Sequence, residues 1–199
     1  MTDLAAAFAA IDAANAADPV RVVWNGADHA RARLHGERAS YWLRRLGAVG
    51  GRASSDAVEL AVRAHHLRRW ALPRASYPEG RAGYHRWKKA QRDGLAASFD
   101  DVLAPLGIDA AVIARAAQLA QRVGLGSDAE TQLVEDAACL VFCEVDLGDV
   151  LSQLGEDKTA EAIRRTLPKM SQTAIGLAPE ATPAGAAFDL LVAVATGTR

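Results

Sequence analysis

Residues 63–92 concentrate the side chains that could bind an anionic ligand. This basic segment contains nine of the 23 Lys and Arg residues, three of the five His residues and a single acid, Glu79. Two of the four Trp residues and two of the three Tyr residues also fall within it. Arginine makes planar, bidentate contacts with phosphate and carboxylate groups, and aromatic rings offer flat stacking faces. The basic segment therefore predicts a site for an anionic small-molecule substrate, although no catalytic motif names the reaction.

The predicted ligand contacts are cations and aromatic rings in or beside a proline-bounded loop. They are Arg68, Arg69, Trp70, Arg74, Tyr77, Arg81, Tyr84, Trp87 and Lys88. Binding residues occur disproportionately on loops that a rigid scaffold positions, which favours a ligand site here. The alternative is that the rings pack two helices together while the arginines are solvated.

His65 and His66 are candidate catalytic residues of the basic segment, either as acid–base groups or as metal ligands. Adjacent side chains on an α-helix point about 100° apart, so the two rings cannot easily bind one ion without help from another helix. No HxxxH or HExxH spacing accompanies them. A hydrogen-bonded, structural histidine pair is the alternative, and the sequence leaves both interpretations open.

Glu144 is the third candidate catalytic residue, because it continues an apolar helical stripe that includes Ala137 and Leu140. A buried carboxylate needs a partner, and we expect a guanidinium or imidazole of the basic segment to pair with Glu144 or with Asp136. The sequence leaves open whether such a pair is catalytic or is an internal salt bridge.

The overall composition limits the class of protein. Half of the 199 residues are apolar and 24% are charged, which is typical of a globular domain. The net charge of −1 counts against a nucleic-acid partner, and residues 127–161 carry ten acids against one base, Lys158. The sequence shows no apolar run suited to a membrane span or a signal sequence, and the spacing of Cys139 and Cys143 is poor for a disulfide. We therefore expect a cytoplasmic protein without a membrane partner.

Abundant alanine and scarce strand-like alternation predict an all-α, single-domain helical bundle of about seven or eight helices. The predicted helices cover residues 3–16, 30 or 37–46, 56–71, 82–103, 109–122, 128–154 and 157–175. Residues 21–28, with Asn25-Gly26, predict a short extended piece and a turn, and Gly36 predicts a helix break. Residues 1–176 are the expected helical domain, and residues 177–199 the expected C-terminal extension with a terminal helix at 186–195.

Six short motifs follow one pattern: IDAANAADP (11–19), HGERASYWLRRL (35–46), HHLRRWALPRASYPEGRAGYHRWKK (65–89), VEDAACLVFCE (134–144), EDK (156–158) and KMS (169–171). Together they resemble the family described as domain of unknown function 4202. The resemblance covers roughly residues 5–175, and residues 66–87 are its most specific part. It implies no established reaction.

Two of the motifs also resemble parts of the HD-domain metal-dependent phosphohydrolases. Those proteins are all-α and hold their metal with a first His, a His-Asp pair on a later helix and a distal Asp. RAHHLRRW (63–70) occupies the place of the His-Asp helix, and LVEDAACLVF (133–142) that of the distal Asp. The resemblance implies an HD-like fold and a divalent metal ion held by His65 or His66 and by Asp136. No His-Asp dipeptide is present, and the first-His position, near residues 38–40, has no imidazole, although His35 is close.

Three functions are open at this point. The first is an HD-like hydrolase acting on a phosphorylated small molecule or nucleotide, and the second is a metal-free ligand-binding module or enzyme for an anionic or aromatic small molecule. The third is an RNA-binding module, which the near-zero net charge and the acidic residues 127–161 count against. The sequence also leaves a homodimer open.

Overall fold

The computed structural model describes residues 2–51 and 53–199, which form a helical bundle with one β-hairpin. The helices are α1 (Leu4–Asn15), α2 (Arg31–Gly50), α3 (Asp56–Arg63), α4 (Gly80–Leu103), α5 (Ala110–Ala120), α6 (Ala129–Val141), α7 (Leu147–Thr166), α8 (Gln172–Ala181) and α9 (Ala186–Ala195). Strands β1 (Arg21–Trp24) and β2 (Ala27–Ala30) pair antiparallel and directly precede α2 in the chain. The predicted all-α fold is confirmed, as is the short extended piece with a turn.

Local sequence signals explain where many of the helices begin. Side chains of Asp3, Ser55, Asp109, Asp128 and Ser171 accept hydrogen bonds from backbone N–H groups in the first turns of α1, α3, α5, α6 and α8. The apolar faces of the helices then pack into one core, with α2 against α6 and α3 and with α3 against α5. None of the helices in residues 2–51 and 53–199 has the length and apolarity needed to cross a membrane.

α3 is shorter than predicted, and a side chain from α1 binds the turn that follows it. The last helical hydrogen bond runs from the Ala64 N–H to the Leu60 carbonyl oxygen. The chain then turns, and Arg68 adopts a left-handed conformation with φ of 51°. The Arg68 N–H donates to the Asn15 side-chain oxygen at 3.1 Å, and Asn15 is fully buried at the end of α1. The prediction of one helix over 56–71 is therefore wrong, and the chain continues through short 3₁₀ turns at Arg69–Ala71 and Arg74–Ser76.

Gly36 does not break α2; it lets α2 approach α3. Gly36 is buried inside the helix, and a Cβ there would overlap the backbone carbonyl oxygen of Arg63. Only glycine leaves room for that oxygen, so the residue brings the start of α2 against the end of α3. The predicted break is wrong for this reason.

The later helices also differ from the prediction. A π-helical turn, Phe142–Asp146, links α6 to α7 directly, and α7 runs through a kink at Gly155 with φ of 77°. α7 ends at Thr166, so residues predicted as one helix over 157–175 divide between α7 and α8. The predicted boundary at 176/177 falls inside α8, while α9 packs on α7 with Leu190 and Leu191 in the common core.

Candidate functional site

Three histidines from two parts of the fold come together beside the end of α3. His35 lies in α2, and His65 and His66 lie in the turn that follows α3. Each offers a ring nitrogen, and the three nitrogens lie within 4.8 Å of one another. Ring centroids are 4.3 Å apart for His65 and His66 and 4.7 Å apart for His35 and His66. Because α3 has ended before residue 65, the helical geometry that would separate the adjacent rings does not apply, and the planes of the two rings are 34° apart.

Hydrogen bonds orient two of the three rings. His65 Nδ1 is 2.8 Å from the Val62 carbonyl oxygen, so Nδ1 carries the proton and Nε2 of the neutral ring keeps its lone pair. His35 Nε2 is 3.2 Å from Asp146 Oδ1, which also accepts a 2.7 Å hydrogen bond from Arg31. Contacts of this kind, from a histidine to a carbonyl or carboxylate, are typical of the outer contacts of metal-binding histidines.

Burial keeps His65 and His66 uncharged. It lowers the pKa of His65 to about 3, with smaller contributions from the charges of Arg122 and His35. The pKa of His66 is also lowered well below its ordinary value by burial, and His65 adds to the effect. Neutral imidazole is the form that binds a metal ion, so at neutral pH these rings are in the binding form.

Asp146 is the carboxylate of this cluster and is the last residue of the π-helical turn. Burial alone would raise its pKa, but the hydrogen bond and charge of His35, together with Arg31, outweigh burial and lower it. Asp146 is therefore ionised at neutral pH and can hold His35 in a fixed orientation. π-Helical turns are frequent at functional sites.

Two clefts meet at the histidines. The α4 cleft, which Tyr84 and Lys88 of α4 help to line, has a volume of about 400 Å³. The α2 cleft, which Arg31 and His35 of α2 help to line, has a volume of about 660 Å³. Both volumes are in the range of small-molecule sites. Four residues line both clefts and so form the wall between them: His65, His66, Arg69 and Trp87.

The α4 cleft is strongly cationic. Its lining cations are Arg69, Lys88, Arg92, Arg122 and Lys169. Its single lining acid is Glu135, which is 2.5 Å from Arg122. The other four cations form no ion pair within residues 2–51 and 53–199. Their convergence favours an anionic ligand.

The α2 cleft is different, because its charged groups other than Arg69 are ion-paired or hydrogen-bonded within the protein. Arg31 pairs with Asp146, and Arg74 donates to the Tyr77 carbonyl oxygen at 2.9 Å. Asp18 accepts from the backbone N–H groups of Val20 and Ala32, each at 2.9 Å. Its apolar walls are Val20, Leu72, Pro73, Ala138 and Phe142. This cleft suits an uncharged group.

A family model described as domain of unknown function (DUF4202) matches residues 5–191. The chain belongs to this family. The matched range includes the three histidines, both clefts and most of α9. Comparisons with curated proteins and with solved structures gave no match. The likeness to HD-domain phosphohydrolases therefore rests on the short motifs alone.

In this member of the DUF4202 family, most of the predicted ligand contacts lie at the clefts. Those that line one or both clefts are Arg69, Trp70, Arg74, Tyr84, Trp87 and Lys88. Arg68, Tyr77 and Arg81 line neither. Arg68 forms an exposed pair with Asp101, and Arg81 is exposed with its Nε 3.4 Å from His85 Nε2.

The aromatic rings of the α4 cleft support cations. The Arg69 guanidinium lies 5.0 Å from the centroid of the Trp87 ring, and Lys88 Nζ lies 5.5 Å from that of Tyr84. Contacts of a cation with a ring face are worth about 0.5–1 kcal/mol at exposed sites. The rings therefore help to hold Arg69 and Lys88 at the cleft.

The structure does not bring Asp136 or Glu144 to the histidines. Asp136 Oδ1 accepts hydrogen bonds from the Ser171 backbone N–H at 2.8 Å and from Gln132 at 2.9 Å. Glu144 accepts two hydrogen bonds from Arg38, at 2.9 and 2.6 Å, and one from Trp42 Nε1 at 2.8 Å. The expectation that their partners come from the basic segment is wrong, because Arg38 belongs to α2 and Asp136 binds the start of α8.

Several residues of the site are not among the predicted site residues: His35, Asp146, Gln91, Arg92, Arg122 and Lys169. His35 was the imidazole nearest to the expected first-His position, and the KMS motif contains Lys169. His35 and Lys169 therefore both lie within the motifs that resemble the DUF4202 family. Nothing in the sequence distinguishes Asp146 from the nine other acids of residues 127–161.

We expect the metal-free DUF4202 protein to lose stability as the pH falls from about 6.5 towards 5. The unfolded chain protonates its histidines near pH 6.5, whereas burial keeps His65 and His66 neutral in the folded state. Each such histidine costs up to about 1.4 kcal/mol of stability per pH unit in this window. Urea unfolding of chelator-treated protein at pH 7, 6 and 5 measures the slope.

The matched variant for this measurement is the double replacement His65→Gln and His66→Gln. Its stability should depend much less on pH between 6.5 and 5, because the two depressed groups are gone. Carboxylates with lowered pKa, such as Asp146, change the stability only in more acidic solution, below the ordinary carboxyl pKa of about 4. An equal slope in the parent and the double variant would contradict the prediction.

Proposed function

We propose that this protein is a metal-dependent hydrolase that acts on a phosphorylated small molecule or nucleotide. His35, His65 and His66 would hold the divalent ion. The proposal is carried by one observation, the approach of three ring nitrogens to within 4.8 Å at the wall between the two clefts. No hydrogen bond joins the three rings in the part of the chain that the structure describes, where His35 instead stacks on His65 and His66.

The surroundings of the histidines fit a metal ion. Nδ1 of His65 donates to Val62, which leaves Nε2 as the ligand atom, and Asp146 holds His35. Three imidazoles suit Zn, Fe, Ni or Co, and such an ion supplies Lewis-acid chemistry and a more acidic bound water. Arg69 reaches the same wall and would bind and orient the phosphate beside the histidines.

Metal analysis of protein purified without chelator tests this proposal. We expect about one transition-metal ion per chain in the parent and a loss of most of it in His35→Ala, His65→Ala and His66→Ala, since each removes one of three ligands. His85→Ala is the matched control, because His85 is an exposed histidine of the basic segment that lies outside the cluster. Retention of metal by all three cluster variants would contradict the assignment. So would the absence of bound metal together with no phosphatase activity on addition of Fe, Mn, Ni or Zn.

A metal-free ligand-binding module is the second candidate, and Arg69 favours it. Its guanidinium lies at both clefts over the Trp87 ring, without an ion-pair partner in residues 2–51 and 53–199. An anionic or aromatic ligand could bind there without help from an ion. In that case the binding of an anionic or aromatic ligand should persist after chelator treatment and in His66→Ala. The same binding should be lost in Arg69→Ala.

A further inference from the structure

We propose that the substrate carries two or more linked phosphates, which occupy the α4 cleft, and a flat, uncharged group, which occupies the α2 cleft. This inference rests on the proposed hydrolase function and names its substrate class. A nucleoside di- or triphosphate has this layout. The histidine cluster would then lie where the two parts of the substrate join.

The charge of the α4 cleft points to more than one phosphate. Arg69, Lys88, Arg92 and Lys169 come from the turn after α3, from α4 and from the connection between α7 and α8. Arg122 is the fifth cation, and its charge is matched by Glu135. A single phosphate monoester carries about two negative charges at neutral pH, whereas three linked phosphates carry about four. Four unpaired cations in one cleft match the larger anion.

The backbone that carries these cations is fixed by glutamine side chains. Gln91 donates to the carbonyl oxygen of Arg69 at 2.8 Å, and Gln121 donates to that of Arg92 at 2.8 Å. A third glutamine, Gln132, donates to the carbonyl oxygen of Lys169 at 2.7 Å. The backbone at three of the four unpaired cations is thus held by a hydrogen bond from a glutamine side chain.

The α2 cleft can take the uncharged end of the substrate. Its volume of about 660 Å³ is larger than that of the α4 cleft, and apart from Arg69, which belongs to the wall shared by both clefts, its cations are paired or hydrogen-bonded. Trp70 lines this cleft, and its Nε1–H is buried without a hydrogen-bond partner among the described residues. Buried donors are normally satisfied, and the proposal assigns to this one an acceptor atom at the uncharged end of the substrate.

The wall between the clefts fixes the position of the reacting bond. His65, His66, Arg69 and Trp87 line both clefts, so a ligand that fills the two must pass these residues. The Trp87 indole N–H donates to the Leu72 carbonyl oxygen at 2.9 Å, which holds the ring under Arg69. Arg69 would therefore bind the phosphate nearest to the histidines.

The experiment measures binding of inorganic triphosphate, inorganic phosphate and adenosine to chelator-treated protein by isothermal titration calorimetry at fixed ionic strength. We expect triphosphate to bind at least about tenfold more tightly than phosphate, since it reaches more of the cations. Arg92→Ala and Lys169→Ala should each weaken triphosphate binding by about tenfold and leave adenosine binding unchanged. Trp70→Phe, which removes the N–H donor, should weaken adenosine binding and leave triphosphate binding unchanged.

Arg86→Ala is the matched control, because Arg86 is an exposed cation of α4 that lines neither cleft. An equal loss of triphosphate binding in Arg86→Ala and Lys169→Ala would overturn the inference, as would triphosphate that binds no more tightly than phosphate. If triphosphate binds as expected but the protein holds no metal, the cleft assignment stands and the hydrolase proposal fails. If metal-dependent hydrolysis of a monophosphate ester is not inhibited by triphosphate, the hydrolase stands and the cleft assignment is overturned.

Discussion

Glu144→Ala is expected to lower the free energy of unfolding by about 3 kcal/mol or more. The Glu144 side chain is only 9% exposed, and its carboxylate accepts hydrogen bonds from Arg38 and from the Trp42 indole. Its removal leaves a guanidinium and an indole N–H partly buried without their acceptor. Removing one partner of a buried pair costs more than the pair itself contributes, because the other charge stays desolvated. Urea denaturation of the parent and the variant measures the difference.

The matched control is Glu180→Ala. Glu180 also forms a bidentate pair with an arginine of α2, Arg45, but both side chains are about two-fifths exposed. Exposed pairs contribute about 1 kcal/mol or less, so this variant should stay close to the parent. Equal losses in the two variants would contradict the argument from burial. Unchanged metal content in Glu144→Ala would further separate the stabilising contact from the histidine cluster.

Gly36→Ala is expected both to destabilise the protein and to reduce its metal content. The new Cβ would overlap the carbonyl oxygen of Arg63, so α2 must move away from the end of α3. Overpacking of this kind costs about 1–3 kcal/mol. His35 is the neighbour of Gly36, and His65 follows Arg63 by two residues, so the same movement separates the histidine rings.

Gly94→Ala is the control for this replacement. Gly94 also lies inside a helix, α4, but a Cβ there meets no atom within 4 Å. Alanine should therefore stabilise the protein by about 0.5–1 kcal/mol, the usual difference between the two residues in a helix. A Gly36→Ala variant with the parent's unfolding midpoint and metal content would contradict the assigned role of Gly36.

The sequence predicted the helical class and many helix starts because those features depend on local interactions. Alanine content and a capping side chain such as Ser55 act within a few residues of the helix that they favour. The predicted end of α3 was wrong, and the turn that replaces the last part of the predicted helix contacts Asn15, which is distant in sequence from the Arg68 N–H that it binds. Patterns within a short window do not contain such a contact.

The same limitation applies to the candidate site. Six of the nine predicted contact residues line a cleft and four of these line the α4 cleft, but their role as ligand contacts stays a prediction. The histidine cluster was not predictable as a unit, because it needs both the early end of α3 and the approach of α2 at Gly36. The motif resemblance predicts Asp136 as the distal carboxylate, whereas the π-helical turn brings Asp146 to His35.

The π-helical turn also ties the assembly of the site to folding. Arg31, His35 and Arg38 recur at intervals of four and three residues, so they share one face of α2. That face contacts the two acids of the turn, Asp146 through Arg31 and His35, and Glu144 through Arg38. Docking of α2 on this turn therefore completes the core and delivers the third histidine in the same event. A chain in which α2 has detached has no three-histidine cluster, and a bound ion would oppose that detachment.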